Sequence, residues 1–162
     1  FIPLETVWFL VIYTIAGISD VVDGTIARKL GKSSDFGATL DSISDLVFYS
    51  VMILKMMPKL IKTLPGIIWY EVALVLVIRI AAYIAAAVKY KRFASVHTWL
   101  NKLTGAGVFG LPYAFAFSIG VPYSFVVCTI GLISSTEELL IHLCTKDYDR
   151  RIKSVFDIKK IK

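Results

Sequence analysis

The sequence predicts an all-α bundle of membrane-spanning helices, and three observations predict it. Hydrophobic residues make up 57% of the 162 residues, more than the roughly 45–50% of a soluble domain. They fall into five long blocks, each near the ~20 residues that a bilayer core requires. The basic residues gather at alternate ends of those blocks, the charge pattern of a polytopic membrane protein. A net charge of +6 therefore needs no nucleic acid or acidic partner. Topology and anionic lipid headgroups are sufficient reasons for it.

The first block, 4–28, is apolar from its start, and Glu5 is its only charge before Asp20. It has neither a basic leader nor a cleavage site, so it does not read as a secretory signal. The second block, 38–57, stops at Pro58, and the third, 67–88, follows Pro65-Gly66. A polar run over 89–98 separates the third from the fourth, 99–118, and Gly120-Val121-Pro122 punctuates the entry to the fifth, 122–144. Five spans thus occupy residues 1–145, and 146–162 form a basic tail. Ile152, Val155, Phe156, Ile158 and Ile161 are interleaved in that tail. It reads equally as an amphipathic segment on an anionic leaflet or as a solvated extension. Trp8, Trp69, Tyr70 and Trp99 stand near block ends, as interfacial aromatics do. Cys128 and Cys144 share the fifth block, about 24 Å apart along a helix at a 1.5 Å rise. At that separation they serve as small apolar residues and not as a disulfide. No internal repeat or low-complexity stretch is present.

Orientation follows from charge. With the turn at Arg28, Lys29 and Lys32 in the cytoplasm, all but four of the eighteen Lys and Arg share that side. The exceptions are Lys55, Lys59 and Lys62 at the opposite end of the second span, and Arg79 in mid-span. A bias of this size fixes the topology.

The chemistry is concentrated between Asp20 and Asp45. On a helix, Asp20 and Asp23 share a face that Gly24 and Ala27 continue almost without side chains. Asp41 and Asp45, four apart, share a face of the next helix. The polar segment between the helices, with Gly31, has the composition of a turn. Antiparallel helices joined there would bring four carboxylates together near one membrane surface. Such a cluster is strongly unfavourable unless a cation or protons compensate it. Oxygen ligands alone suit a hard divalent ion, Mg²⁺, Mn²⁺ or Ca²⁺, better than zinc. Acids that merely pair with nearby bases are the plain alternative, but isolated acids in apolar spans are usually functional.

The residues Asp20, Asp23, Gly24, Ala27 and Arg28, then Gly37, Asp41 and Asp45, spell D-x-x-D-G-x-x-A-R followed by G-x-x-x-D-x-x-x-D. This resembles the signature of the CDP-alcohol phosphotransferase family, with every specified position filled. The resemblance implies transfer of a phosphatidyl or similar group from a CDP-linked lipid to a small polar alcohol, with release of CMP. It implies Mg²⁺ or Mn²⁺, as two ions, on Asp20, Asp23, Asp41 and Asp45, with Asp45 the general base toward the acceptor hydroxyl. Asp20, Gly24, Ala27, Arg28, Gly37 and Asp41 would meet the CDP-diacylglycerol donor. Small residues there admit close approach, and the Arg28 fork suits phosphate. Tight helix packing is an equal reading of Gly24 and Ala27. The resemblance also implies a homodimer in the plasma membrane whose active site faces the cytoplasm. Family members typically have six spans, so a helix preceding the first block is expected to be missing here.

Outside the signature, Arg79 interrupts the third span roughly 14 Å from its cytoplasmic end at 1.5 Å per residue. A charge at that depth needs a wet cavity or a partner. It either holds a phosphorylated acceptor or pairs with Glu137 or Glu138. His97, Asn101 and Thr104 share one side of the fourth helix's entry, beside Lys102; that side either borders the cavity or is solvated. With Arg79, the residues His97, Asn101 and Lys102 are the acceptor-binding candidates. Such a cationic group favours a phosphorylated polyol, glycerol 3-phosphate first, over serine; serine and inositol phosphate are the alternatives. An ion-coupled transporter is the rival of another class. It would need helices interrupted deep in the bilayer and inverted halves, and the sequence displays neither. A scaffolding membrane protein would leave the carboxylates unexplained.

Overall fold

The computed structural model describes the backbone of residues 4–29, 35–91, 98–145 and 152–160, and the side chains of 6–19, 22, 47–91, 98–145 and 152–157. Among the described residues the secondary structure is helical throughout. It comprises α1 (Leu4–Lys29), α2 (Asp35–Thr63), α3 (Gly66–Tyr90), α4 (Trp99–Ala116), α5 (Gly120–Cys144) and a short 3-10 turn, Val155–Lys160. The chain divides into two compact units, Phe1–Thr63 and Leu64–Lys162.

In the first unit, α1 and α2 meet at mid-length. Tyr13 is buried and its ring stacks on Phe48, centroids 4.8 Å apart and 15° from coplanar. Only a short segment joins the helices, so they run antiparallel. Around that seam Ile12, Ile15, Ile18, Val51 and Leu54 stand exposed, an outward apolar surface suited to lipid. The expected end of the second span at Pro58 is corrected: α2 continues through it to Thr63. Proline removes one backbone donor, the one that would reach the Leu54 carbonyl. The next residues, Lys59-Leu60-Ile61-Lys62, carry the helix on with good propensity. The stop comes where Leu64 precedes Pro65 and is biased toward extended backbone.

In the second unit α5 is the central helix. It packs against both α3 and α4, and carries the short turn toward its C-terminal end. Pro65, extended at φ −65° and ψ 151°, starts α3, and its carbonyl accepts from the Ile68 amide at 3.1 Å. Ala82 and Ala86 are fully buried, and their small side chains let α3 approach α5 closely. The opposite face of α3 exposes Leu76, Val77, Ile80, Ile84 and Val88. Tyr90 Oη lies 2.8 Å from Thr145 Oγ1, so α3 and α5 run parallel and end together. Helix α4 is antiparallel to α5 and is capped by Thr98, whose Oγ1 accepts from the Asn101 amide at 3.1 Å. Its far end turns tightly into α5: Ser118 adopts φ 62°, and the Phe115 ring lies so close to Gly120 that a Cβ there would sit 2.6 Å from it. Pro122 falls in the first turn of α5, where its missing N–H has no helical partner to lose. Helices α3 and α5 are each long and apolar enough to cross a membrane.

Candidate functional site

Each half of the signature lies on a helix. Asp20, Asp23, Gly24, Ala27 and Arg28 belong to α1, and Gly37, Asp41 and Asp45 to α2. Their side chains, the connecting segment 30–34 and the whole of His97 lie outside the described residues. What the backbone fixes is register. Position 20 is one heptad beyond Tyr13, position 41 is one heptad before Phe48, and 45 is three before Phe48. By register, positions 20, 41 and 45 lie on the helix faces that carry Tyr13 and Phe48, whose rings stack. Position 23 flanks the first of these faces.

The second unit holds a polar network in the apolar interior, assembled from three helices. On α3, Arg79 Nη2 donates to Asn101 Oδ1 of α4 at 2.6 Å, and Arg79 Nε donates to Ser135 Oγ of α5 at 3.3 Å. The Asn101 carboxamide oxygen also accepts from Ser134 Oγ at 3.1 Å, and its Nδ2 donates to Glu138 Oε2 at 3.2 Å. These partners set the orientation of the amide. Glu138 is fully buried and its Oε2 lies 4.0 Å from Arg79 Nη2. Asn101 therefore bridges a guanidinium and a carboxylate that barely touch. The Arg79 side chain keeps 27% of its surface exposed. It has donors left over, because five N–H groups meet only these three partners among the described residues.

Of the residues singled out in the sequence, the structure brings Arg79 and Asn101 together. Glu138 is the Arg79 partner, and Glu137 turns elsewhere. Lys102 does not join the network; its Nζ stands 4.8 Å from the centroid of the exposed Trp99 ring. Thr104 donates to the Leu100 carbonyl at 2.8 Å and so satisfies itself within α4. Ser134 and Ser135, both fully buried, were not anticipated. Their signal is the polar run Ser134-Ser135-Thr136-Glu137-Glu138 inside an apolar helix.

A family model described as CDP-alcohol phosphatidyltransferase matches residues 1–136. Among curated proteins the chain is similar to a cardiolipin synthase (CMP-forming) of Streptomyces coelicolor, at 29% identity over 118 residues, 70% of this chain and 50% of the relative. It is similar to a CDP-diacylglycerol–glycerol-3-phosphate 3-phosphatidyltransferase of Pseudomonas fluorescens, at 29% over 132 residues, 75% of this chain and 66% of the relative. A shorter match, 62% over 34 residues, joins it to a CDP-diacylglycerol–serine O-phosphatidyltransferase of Methanocaldococcus jannaschii, covering 21% of this chain and 17% of the relative. The chain thus spans half to just under two thirds of the first two relatives. No solved structure matches it.

Proposed function

The chain belongs to the CDP-alcohol phosphatidyltransferase family, and from that premise we propose that it transfers a phosphatidyl group from CDP-diacylglycerol to glycerol 3-phosphate, releasing CMP. One observation carries this reading. The complete signature is divided between α1 and α2, and by helical register three of its aspartate positions share the faces that carry Tyr13 and Phe48, whose rings stack; this supports the reading. Four carboxylates so divided form an all-oxygen donor set, which fits Mg²⁺ or Mn²⁺. Asp20, Asp23, Asp41 and Asp45 would hold such ions, and bound there they would supply positive charge opposite the donor's diphosphate.

The remaining steps belong to the chain. Arg28 pairs with donor phosphate through its planar fork. Gly24, Ala27 and Gly37 leave room for the nucleotide to approach the backbone. Asp45 accepts the proton of the acceptor hydroxyl as its oxygen attacks the phosphorus that carries the diacylglycerol. The diphosphate bridge breaks and CMP departs with the bridging oxygen. We assign Arg79 to the acceptor's own phosphate, through the donors that Asn101 and Ser135 leave over, with Lys102 and His97 as further acceptor candidates. The enzyme works as a homodimer in the plasma membrane, with the site open to the cytoplasm.

The acceptor follows from charge. A phosphate needs a cation besides Arg28, which the donor occupies, and Arg79 is a cation placed at mid-helix in α3. The test offers glycerol 3-phosphate, serine and inositol phosphate with CDP-diacylglycerol, to wild type and Arg79→Gln. Glycerol 3-phosphate should be the best substrate. The variant should lose one to a few kcal/mol of its use, about the worth of a charged hydrogen bond. If serine alone is used, or Arg79→Gln alters stability and no kinetic constant, this acceptor pocket is wrong.

A further inference from the structure

The segment 152–157, beyond the five helices, is docked on the second unit. Ile152 is buried against Ile141 of α5, with Val155 packed beside them. Glu137 Oε1 accepts twice from this segment, from Ser154 Oγ at 2.9 Å and from the Val155 amide at 3.1 Å. The Lys153 carbonyl in turn accepts from the Trp99 amide at 3.1 Å, and Lys153 Nζ stands 5.6 Å from the centroid of the Trp99 ring. Trp99 opens α4, and a first-turn amide has no partner within its own helix. The segment supplies one, and so straps the start of α4 to the end of α5.

Two residues beyond Trp99 stands Asn101, which carries Arg79 and reaches Glu138. The adjacent acids of α5 therefore divide the work. Glu138 faces the Asn101–Arg79 network, and Glu137 faces the strap that fixes the helix from which Asn101 projects. We propose that the strap 152–155, anchored on Glu137, is a positioning device for Arg79 and sets the affinity for the acceptor without taking part in the transfer. This rests on the assignment of Arg79 to the acceptor.

The test compares Glu137→Ala, Glu137→Gln and Arg79→Gln in the full chain in detergent, with KM measured separately for acceptor and CDP-diacylglycerol. Hydrogen exchange over 98–104 is followed alongside. Glu137→Ala should raise the acceptor KM about five- to tenfold, as the loss of one or two hydrogen bonds would. Donor KM and kcat should stay at their wild-type values, and exchange at the start of α4 should accelerate. Glu137→Gln keeps a carbonyl acceptor for Ser154 and Val155, and should restore both readouts. If Glu137→Ala does not fold, Ser154→Ala removes one of the two bonds and should raise the acceptor KM about two- to fivefold. An unchanged acceptor KM in a strap variant, while Arg79→Gln raises it, overturns the strap alone. No effect of Arg79→Gln overturns the acceptor assignment and the strap with it.

Discussion

Two side chains, Asp45 and Asn101, illustrate what a single position decides. Asp45 is the proposed base. Asp45→Asn keeps size and hydrogen bonding but cannot take a proton, so CDP-lipid binding should survive while kcat falls by about 10²–10⁴. Asp20→Asn should lose nucleotide binding as well, and binding and turnover measured side by side separate the two roles. Normal turnover by Asp45→Asn would place the base elsewhere. Asn101 was legible as an acceptor-binding candidate at the entry to the fourth span, but not as part of a network. Its task depends on Arg79, Ser134 and Glu138, which are far from it in the chain. No local pattern states that a carboxamide will sit between a guanidinium and a carboxylate.

At the scale of elements, apolar blocks bounded by strong punctuation are easily read. The third and fifth spans, expected at 67–88 and 122–144, are the helices Gly66–Tyr90 and Gly120–Cys144. Where punctuation is a lone proline the reading stops short, because Pro58 costs one backbone bond and the residues beyond it still favour helix. The docked strap was not legible. Its basic composition spells solvent or headgroups, whereas burial of Ile152 and the anchor on Glu137 come from tertiary contact. The α4–α5 corner yields a paired expectation. A Cβ at Gly120 would sit 2.6 Å from the Phe115 ring, whereas one at Gly131 would meet Thr104 at an ordinary 3.5 Å. Gly120→Ala should therefore destabilise by about 1–3 kcal/mol, as overpacking does, and Gly131→Ala should not. Thermal unfolding of both in detergent decides it. Equal midpoints would mean that the corner yields without strain.

For the molecule as a whole, two units carry two kinds of polar chemistry, and each exposes apolar helix faces. The first places signature positions on facing helices, and the second buries a guanidinium network among three helices whose outer faces are lipid-like. Charge asymmetry and the carboxylate spacing made the membrane class and the family legible, since each follows from residues close in sequence. The acceptor is read from a network that only the fold assembles. The central claim, metal-dependent phosphatidyl transfer from a CDP-linked lipid, is tested most directly by acceptor-dependent CMP release. Purified protein in detergent is given CDP-diacylglycerol and glycerol 3-phosphate, first with Mg²⁺, then with excess EDTA, then with Mg²⁺ or Mn²⁺ restored. The expected result is release that requires the acceptor, stops with EDTA and returns with either ion. Full release in excess chelator, or none with Mg²⁺ present, would contradict the claim.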